Sequence, residues 1–274
     1  MSIILRKYNP IDLKEDGGGS FKRVFGHGQT SEFDPFLMLD YFDIESSKQS
    51  VGFPWHPHKG IETITYILRG GIEHQDSLGN KGVISSGEVQ WMTAGKGIMH
   101  QEMLAPTNDG IQGFQFWVNL RAVDKLTEPK YAYISSKEMK EVKSDTHTVK
   151  VISGTYNGIK GPIDKKELGI SLQHIQVKEG NYIKIKRFQG KQGFMFKGKG
   201  LLNDESVESI TTYTLDSGEF LFTANEDTEF IFAEGLPINE SIAWHGPVVM
   251  NTQEELRETF RSIQDGTFIK GDFS

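Results

Sequence analysis

The chain reads as an all-β protein of two tandem, barrel-sized domains followed by a short C-terminal helix. Three observations predict this. Its 30 glycines fall at short intervals between compact apolar runs, as tight turns joining strands require. Its 274 residues are long for one domain and comfortable for two. Two stretches of the first half also find faint counterparts at one common offset in the second, the mark of an internal duplication.

The elements follow in order. An apolar run from Ile61 to Leu68 is ended by Arg69-Gly70-Gly71, and Val83-Ile84 leads into Ser85-Ser86-Gly87. Val89 to Met92 runs to the turn Gly95-Lys96-Gly97, and Phe114 to Leu120 is strand-like through its aromatic and β-branched residues. Helices are few. Short helical turns are expected near Ser136 to Val142. At the C-terminus, Thr252-Gln253-Glu254-Glu255 reads as a capping box, Leu256, Phe260 and Ile263 share one apolar face, and Asp265-Gly266 supplies a stop. That helix is expected to pack and to carry no chemistry.

The duplication rests on two matches. Ile84 to Ala94 compares with Leu215 to Ala224, and Ile67 to Ile72 compares with Phe196 to Leu201, both offset by about 130 residues, one barrel domain. This divides the chain into domains 1–134 and 135–274, with Ser135 to Glu141 as a charged connector between Lys130 and His147.

Composition narrows the function. A net charge of −7 and a pI near 5.7 argue against a nucleic-acid or anionic-membrane binder. With no cysteine, disulfides, thiolate zinc and iron–sulfur clusters are excluded, and the metal-ligand pool is His, Asp and Glu. The opening apolar run is too short for a signal peptide and no stretch approaches a membrane span, so a cytoplasmic protein is expected.

The chemistry concentrates in Trp55-His56-Pro57-His58 and Ile98-Met99-His100-Gln101-Glu102. Each places two metal-capable side chains at i and i+2, which a β-strand sends to one face. Two such pairs on facing strands would close three imidazoles and one carboxylate around a single divalent transition ion. A lone H-x-H is often a surface pair; the second pair is what favours a metal. On the common offset, His100 and Glu102 fall near Phe230 to Ala233, and His56 and His58 near Ile185 to Phe188, where Lys186 and Arg187 would repel a cation. One ion per chain is therefore expected.

Glu62 is a rival carboxylate. It has the parity of His56 and His58, but on an unbroken strand it stands ~13 Å beyond His58. His74 and Asp76, beside the Ser77-Leu78-Gly79-Asn80 turn, read as hairpin scaffolding or pocket-rim hydrogen bonding rather than ligands. Trp55, Phe53 and Trp91 flank the motifs and suit either an aromatic pocket or plain core packing. His27, His147, His174 and His245 read as structural or solvent-facing, and Lys184 to Arg187 as a solvated strand face.

The motif H-P-H-x-G-x-E-T-[IV]-T-Y from His56 to Tyr66 resembles the first motif of the pirin family of bicupins. So do Gly71 to Gly79, Gln90 to Glu102, Asp34 to Asp40 and Gly246 to Thr252, a resemblance spanning about residues 20 to 265. It implies two tandem cupin β-barrels with iron in the N-terminal one only, held by His56, His58, His100 and Glu102. Glu62 then stands outside the ligand set and orients a histidine N–H. The resemblance further implies an Fe(II)-dependent dioxygenase of the quercetinase type. Such an enzyme opens the central ring of a flavonol, or a related enol or phenolic compound, with O2 and releases CO. Glu102 would accept the hydroxyl proton, and Mn, Ni, Cu or Zn remain open as the ion. The alternative it implies is a metal- or redox-switched regulator that binds a protein partner, with incidental dioxygenase activity.

Overall fold

The computed structural model describes residues 3–14, 20–44, 52–105, 110–165, 167–188, 190, 192–269 and 271. It separates into two compact units. The histidine-bearing unit comprises Asp12–His27, Phe36–Ser136 and Asn239–Ser274; the other comprises Met1–Ile11, Gly28–Pro35 and Lys137–Ile238. The contiguous division at 134/135 thus differs from the observed one at both chain ends, and strand pairing is the reason. Ile4–Tyr8 pairs antiparallel with Thr212–Leu215. Near the other end, Val248 bridges Lys59, and Val249 joins an apolar cluster with Leu37, Met38, Ile61 and Trp117.

In the histidine-bearing unit a seven-stranded sheet runs in the order Lys130–Ile134, Val89–Thr93, Ile61–Arg69, Ile111–Asn119, Phe36–Ile44, Ser20–Phe25, Ile11–Lys14. A four-stranded sheet runs Gly52–His58, Ile98–Leu104, Gly71–Asp76, Lys81–Ser85. Phe21, Phe42, Ile67 and Ile111 of the first sheet pack with Ile72 and Ile84 of the second. The apolar runs read from the sequence are therefore strands. All seven residues of Gly52–His58 and all nine of Ile61–Arg69 lie on opposite sides of the Lys59-Gly60 bend, in different sheets. Gly60 has φ +78°, and a Cβ there would lie 1.9 Å from the Val249 carbonyl oxygen. This bend breaks the strand that the Glu62 parity argument assumed to be continuous.

The buried Lys125 ammonium holds the same corner. It donates to the carbonyls of Gly60 at 2.9 Å and Val249 at 3.0 Å and to Asn119 Oδ1 at 2.7 Å. Burial pulls its pKa down to about 8, against the opposing pull of Glu240 and Glu255.

The other unit repeats the arrangement strand for strand. Its seven-stranded sheet runs Ile4–Tyr8, Thr212–Leu215, Gln192–Phe196, Thr228–Gly235, Ser171–Val177, His147–Ser153, Lys140–Lys143, and its four-stranded sheet runs Tyr182–Arg187, Gly218–Ala224, Gly200–Leu202, Glu205–Val207. Two expectations need correction. Residues 140–143 form a strand, not a helical turn, because Val142 pairs opposite Val149 while its charged neighbours alternate outward. The match of Ile84–Ala94 to Leu215–Ala224 is out of register by one strand, since Val89–Thr93 corresponds to Thr212–Leu215 and Ile98–Leu104 to Gly218–Ala224. The S-G-E turn that suggested it joins different elements in the two halves.

Corrected by pairing, the counterparts of His100 and Glu102 change, while those of His56 and His58 stay at Ile185 and Arg187, within the stretch expected from the sequence. His100 stands opposite His56, as Phe220 stands opposite Ile185, and Glu102 stands opposite His74, as Phe222 stands opposite Leu202. Ile185, Phe220 and Phe222 are buried in the apolar core of their unit.

The C-terminal helix Gln253–Gln264 carries the expected capping box: Thr252 Oγ1 accepts from the Glu255 N–H at 3.2 Å, and Glu255 Oε2 accepts from the Thr252 N–H at 2.8 Å. Leu256, Phe260 and Ile263 pack against Ala243, Val248 and Met250. Thr252→Ala should cost about 1 kcal/mol, the worth of an N-cap. Gly60→Ala should cost more, because it adds a left-handed backbone penalty to a collision with main chain. Urea unfolding of the two variants checks the order.

Candidate metal centre

Gly52–His58 and Ile98–Leu104 are antiparallel neighbours, with His100 opposite His56 and Ile98 opposite His58. Alternation turns His56, His58 and His100 to one face, and the two pairs meet on adjacent strands. Ring centroids are 4.3 Å apart for His56 and His100, and 4.9 Å for both His56–His58 and His58–His100. One nitrogen from each ring lies within 4.8 Å of the others.

The protons of this cluster are assigned by its hydrogen bonds. Carbonyl oxygens only accept, so His56 Nδ1–H donates to Pro54 O at 2.7 Å and His58 Nδ1–H donates to Pro247 O at 3.1 Å. Their Nε2 atoms face each other across 3.1 Å, a contact that needs either one proton shared between the rings or a cation facing both lone pairs. His100 is fully buried with neither ring nitrogen hydrogen-bonded. Burial, and then the neighbouring histidines, hold the His58 and His100 pKa values well below 6.5. Three converging imidazole nitrogens, one on a buried ring with no hydrogen bond among the described residues, fit a bound cation. The donor set suits a divalent transition metal and does not single one out.

Glu102 is placed differently. It groups with His100 and His74, again within 4.8 Å, while the three-imidazole group forms around His56, His58 and His100. Its Oε1 accepts from Gln90 Nε2 at 2.8 Å and Thr65 Oγ1 at 3.3 Å, and its Oε2 from Gln115 Nε2 at 2.6 Å. These three donors form one row, with Thr65 opposite both Gln90 and Gln115 on adjacent strands. Sequence reasoning missed this row, and Pro247 as the acceptor for His58. The available signal was three polar residues, spaced by strand parity, inside otherwise apolar runs.

His74 and Asp76 are both buried. His74 Nε2–H donates to Asp76 Oδ2 at 3.1 Å and its ring stacks on Tyr131 at 4.6 Å, while Asp76 also accepts from the Leu78 and Asn80 amides of the turn. Glu62 lies on the opposite face of its strand from Thr65, where it accepts from Trp91 Nε1 at 3.0 Å and Thr93 Oγ1 at 2.6 Å. Arg69, at the end of the same strand, pairs with Asp43 at 2.9 Å. Phe53 and Trp55 are half-buried; Phe53 packs edge-on to Phe21 and His56.

A cavity of about 640 Å³ opens on His56 and His58. Phe53, Trp55, Trp117, Trp244 and Met38 give it an aromatic, apolar wall, and Arg23, Asp40 and Gln115 a polar one. Trp117 meets His58 edge-on at 4.8 Å, and its buried indole N–H has no acceptor. His27 reaches the rim, its ring 5.1 Å from Trp244.

The depressed histidine pKa values make stability pH-dependent. Below about pH 6.5 the unfolded chain takes up protons that native His58 and His100 refuse, so the protein loses stability as pH falls, by about 1.4 kcal/mol per pH unit for each such histidine. Urea unfolding of apo-protein between pH 7.5 and 5.5 should show this slope, reduced in His58→Ala; equal slopes would contradict the assignment.

Comparison with known proteins agrees with this geometry. Residues 18–118 match the Pirin family and residues 172–269 match its C-terminal cupin domain. A pirin-like protein of Arabidopsis thaliana is 36% identical over 96% of this chain and 89% of its own length. A crystal structure of quercetin 2,3-dioxygenase from Acinetobacter baumannii superposes with a TM-score of 0.89 at 31% identity, covering 98% of both chains. A bacterial pirin of Escherichia coli in complex with nickel(II) shares the fold at 19% identity, with a TM-score of 0.65 over 85% of this chain and 98% of that one. With both halves matched and a relative of this identity aligned along nearly its whole length, the chain belongs to the pirin family, as a bicupin related to the quercetin 2,3-dioxygenases.

Proposed function

We propose that this protein is a metal-dependent dioxygenase of the quercetinase type, acting with O2 on a flavonol or a related enol or phenolic compound. The observation that carries the reading is the convergence of one nitrogen each from His56, His58 and His100 within 4.8 Å, where His56 and His58 open on an aromatic-lined cavity. His56, His58, His100 and Glu102 would hold one divalent ion, with Fe(II) the ion the family resemblance implies. Such an ion, when bound, acidifies a coordinated hydroxyl by Lewis-acid polarisation.

The chain's own residues account for the remaining steps. Phe53, Trp55, Trp117 and Trp244 offer flat apolar faces that hold a planar ring system and exclude water. The unpaired Trp117 Nε1–H donates to a substrate oxygen, which would relieve its own buried, unsatisfied state. Glu102, its carboxylate fixed by Gln90, Thr65 and Gln115, accepts the proton of the substrate hydroxyl. The Pro54 and Pro247 carbonyls accept from Nδ1–H of the two histidine rings and so aim each Nε2 at the other.

The test is to load apo-protein separately with Fe(II), Mn(II), Ni(II), Cu(II) or Zn(II), then follow loss of quercetin absorbance together with release of carbon monoxide. Turnover with at least one ion is expected. No turnover with any of them, alongside a stable protein partner in pull-downs, would replace the enzyme reading with that of a metal-switched binding protein.

Two sets of variants divide the roles. His56→Ala, His58→Ala and His100→Ala should each lose most bound metal, because a remnant site lacks both a bond and the closed geometry; near-full metal content in all three would place the site elsewhere. Glu102→Gln should abolish flavonol turnover even where metal is retained, since an amide cannot accept the proton. Glu62→Gln, on the far face of its strand, should retain metal and most activity and show a lower melting temperature. Metal analysis and kinetics on both separate them, and a fully active Glu102→Gln beside a metal-free Glu62→Gln would reverse the assignment.

A further inference from the structure

We propose that the second unit carries a binding cavity of its own, independent of metal, for a small hydroxylated aromatic carboxylate. The inference does not depend on the dioxygenase reading. A cavity of about 690 Å³ opens in this unit, a volume suited to a one- or two-ring molecule. It lies among Ser171–Val177, Thr228–Gly235 and Tyr182–Arg187, and so occupies the place that the histidine-bearing cavity takes among the corresponding strands of its own unit. The duplicated fold has kept the hollow while exchanging the chemistry inside it.

Its floor is apolar at Phe232, Ile183 and Ile185. One wall is polar and pre-arranged. Gln173 stands opposite Phe232, and Ser171 opposite Glu234, all four buried. Gln173 Nε2 donates to Ser171 Oγ at 3.1 Å, which orients the amide and leaves its Oε1 buried with no donor. A buried carbonyl without a partner is costly, and on a cavity wall it marks where a ligand donor belongs. Glu234 accepts from the Phe188 N–H at 3.1 Å, and its charge stabilises that of the neighbouring Arg187. Gln173 Oε1 is thus the open acceptor, and a hydroxyl is the matching ligand group.

The mouth selects the other end of the ligand. Tyr182 and Phe188 are 56% and 51% exposed, unusual for side chains of this size and placed where they can flank an aromatic ring. Lys186 Nζ lies 5.5 Å from the Phe188 ring centroid, and Lys184 lies 3.8 Å from Glu219, so the rim presents ammonium groups beside aromatic faces. A ring carrying a hydroxyl inward and a carboxylate outward satisfies both ends. The positions corresponding to His56, His58, His100 and Glu102 hold Ile185, Arg187, Phe220 and Phe222, three apolar side chains and a cation, so binding needs no ion.

The test uses the full-length protein with 4-hydroxybenzoate as the probe and benzoate as its hydroxyl-free control, followed by calorimetry. Saturable binding of 4-hydroxybenzoate at millimolar concentration or below is expected, unchanged in His58→Ala. Gln173→Leu should weaken it about tenfold, the worth of one hydrogen bond, while leaving benzoate affinity unaltered. The surface variant Lys184→Glu/Lys186→Glu, which cannot disturb the core, should weaken both ligands. Loss of binding in His58→Ala with no change in Gln173→Leu and the lysine variant would place the probe in the histidine-bearing cavity and overturn the proposal, as would no saturable binding to the wild-type chain.

Discussion

Two imidazole nitrogens, His56 Nε2 and His58 Nε2, turned on each other at 3.1 Å are the constraint around which the histidine-bearing unit is organised. Electrostatics disfavours that arrangement unless a cation or proton lies between them. Burial, and then repulsion from neighbouring histidines, disfavours the protonated forms of His58 and His100. The rings cannot turn away cheaply, since each Nδ1–H is committed to a backbone carbonyl, and each carbonyl precedes or sits within a proline-bearing segment with a restricted backbone. The site therefore favours a cation among its three converging imidazole nitrogens.

That demand is sustained by structure several residues away. The His58 acceptor, Pro247, immediately precedes Val248, which bridges Lys59, and Val249, whose carbonyl receives the Lys125 ammonium. The same ammonium donates to the Gly60 carbonyl at the corner where the histidine strand ends. Lys125 thus links three segments far apart in sequence: Gly60, Asn119 and Val249. The polar row Gln90, Thr65 and Gln115 plays a comparable part for Glu102, fixing a carboxylate from the opposing sheet. A candidate metal centre of few side chains is held by many hydrogen bonds from residues outside it.

The two units show how one topology accommodates different interiors. Strand order is the same in both, yet the positions of His56, His58, His100 and Glu102 in one become Ile185, Arg187, Phe220 and Phe222 in the other, and Thr65 and Gln115 give way to Met195 and Phe232 in the equivalent row. Apolar packing replaces the polar lattice in the interior, while polar groups reappear at Gln173 and Glu234 nearer the opening. Strand pairing depends on backbone and alternation; the inward residues are free to change as a set.

Much of this was legible in the chain. Alternation and glycine spacing determined the strands, the i, i+2 histidine pairs determined a metal-capable face, and Thr252 with Glu255 determined the start of the last helix, because each is a local consequence of backbone periodicity or capping. What tertiary structure alone decided is of another kind. The bend at Gly60 put Glu62 in a different sheet and on the far face of its strand from Thr65, where no parity count along a continuous strand could place it. Strand pairing, not sequence similarity, set the register between the halves, since a common turn motif can join different strands. The pairing of residues 4–8 with 212–215 and the return of residues 239–274 to the histidine-bearing unit are long-range contacts with no local signature. So are the Pro247 carbonyl behind His58 and the amide row behind Glu102. Local periodicity states which side chains share a face; only the folded sheets state which faces meet.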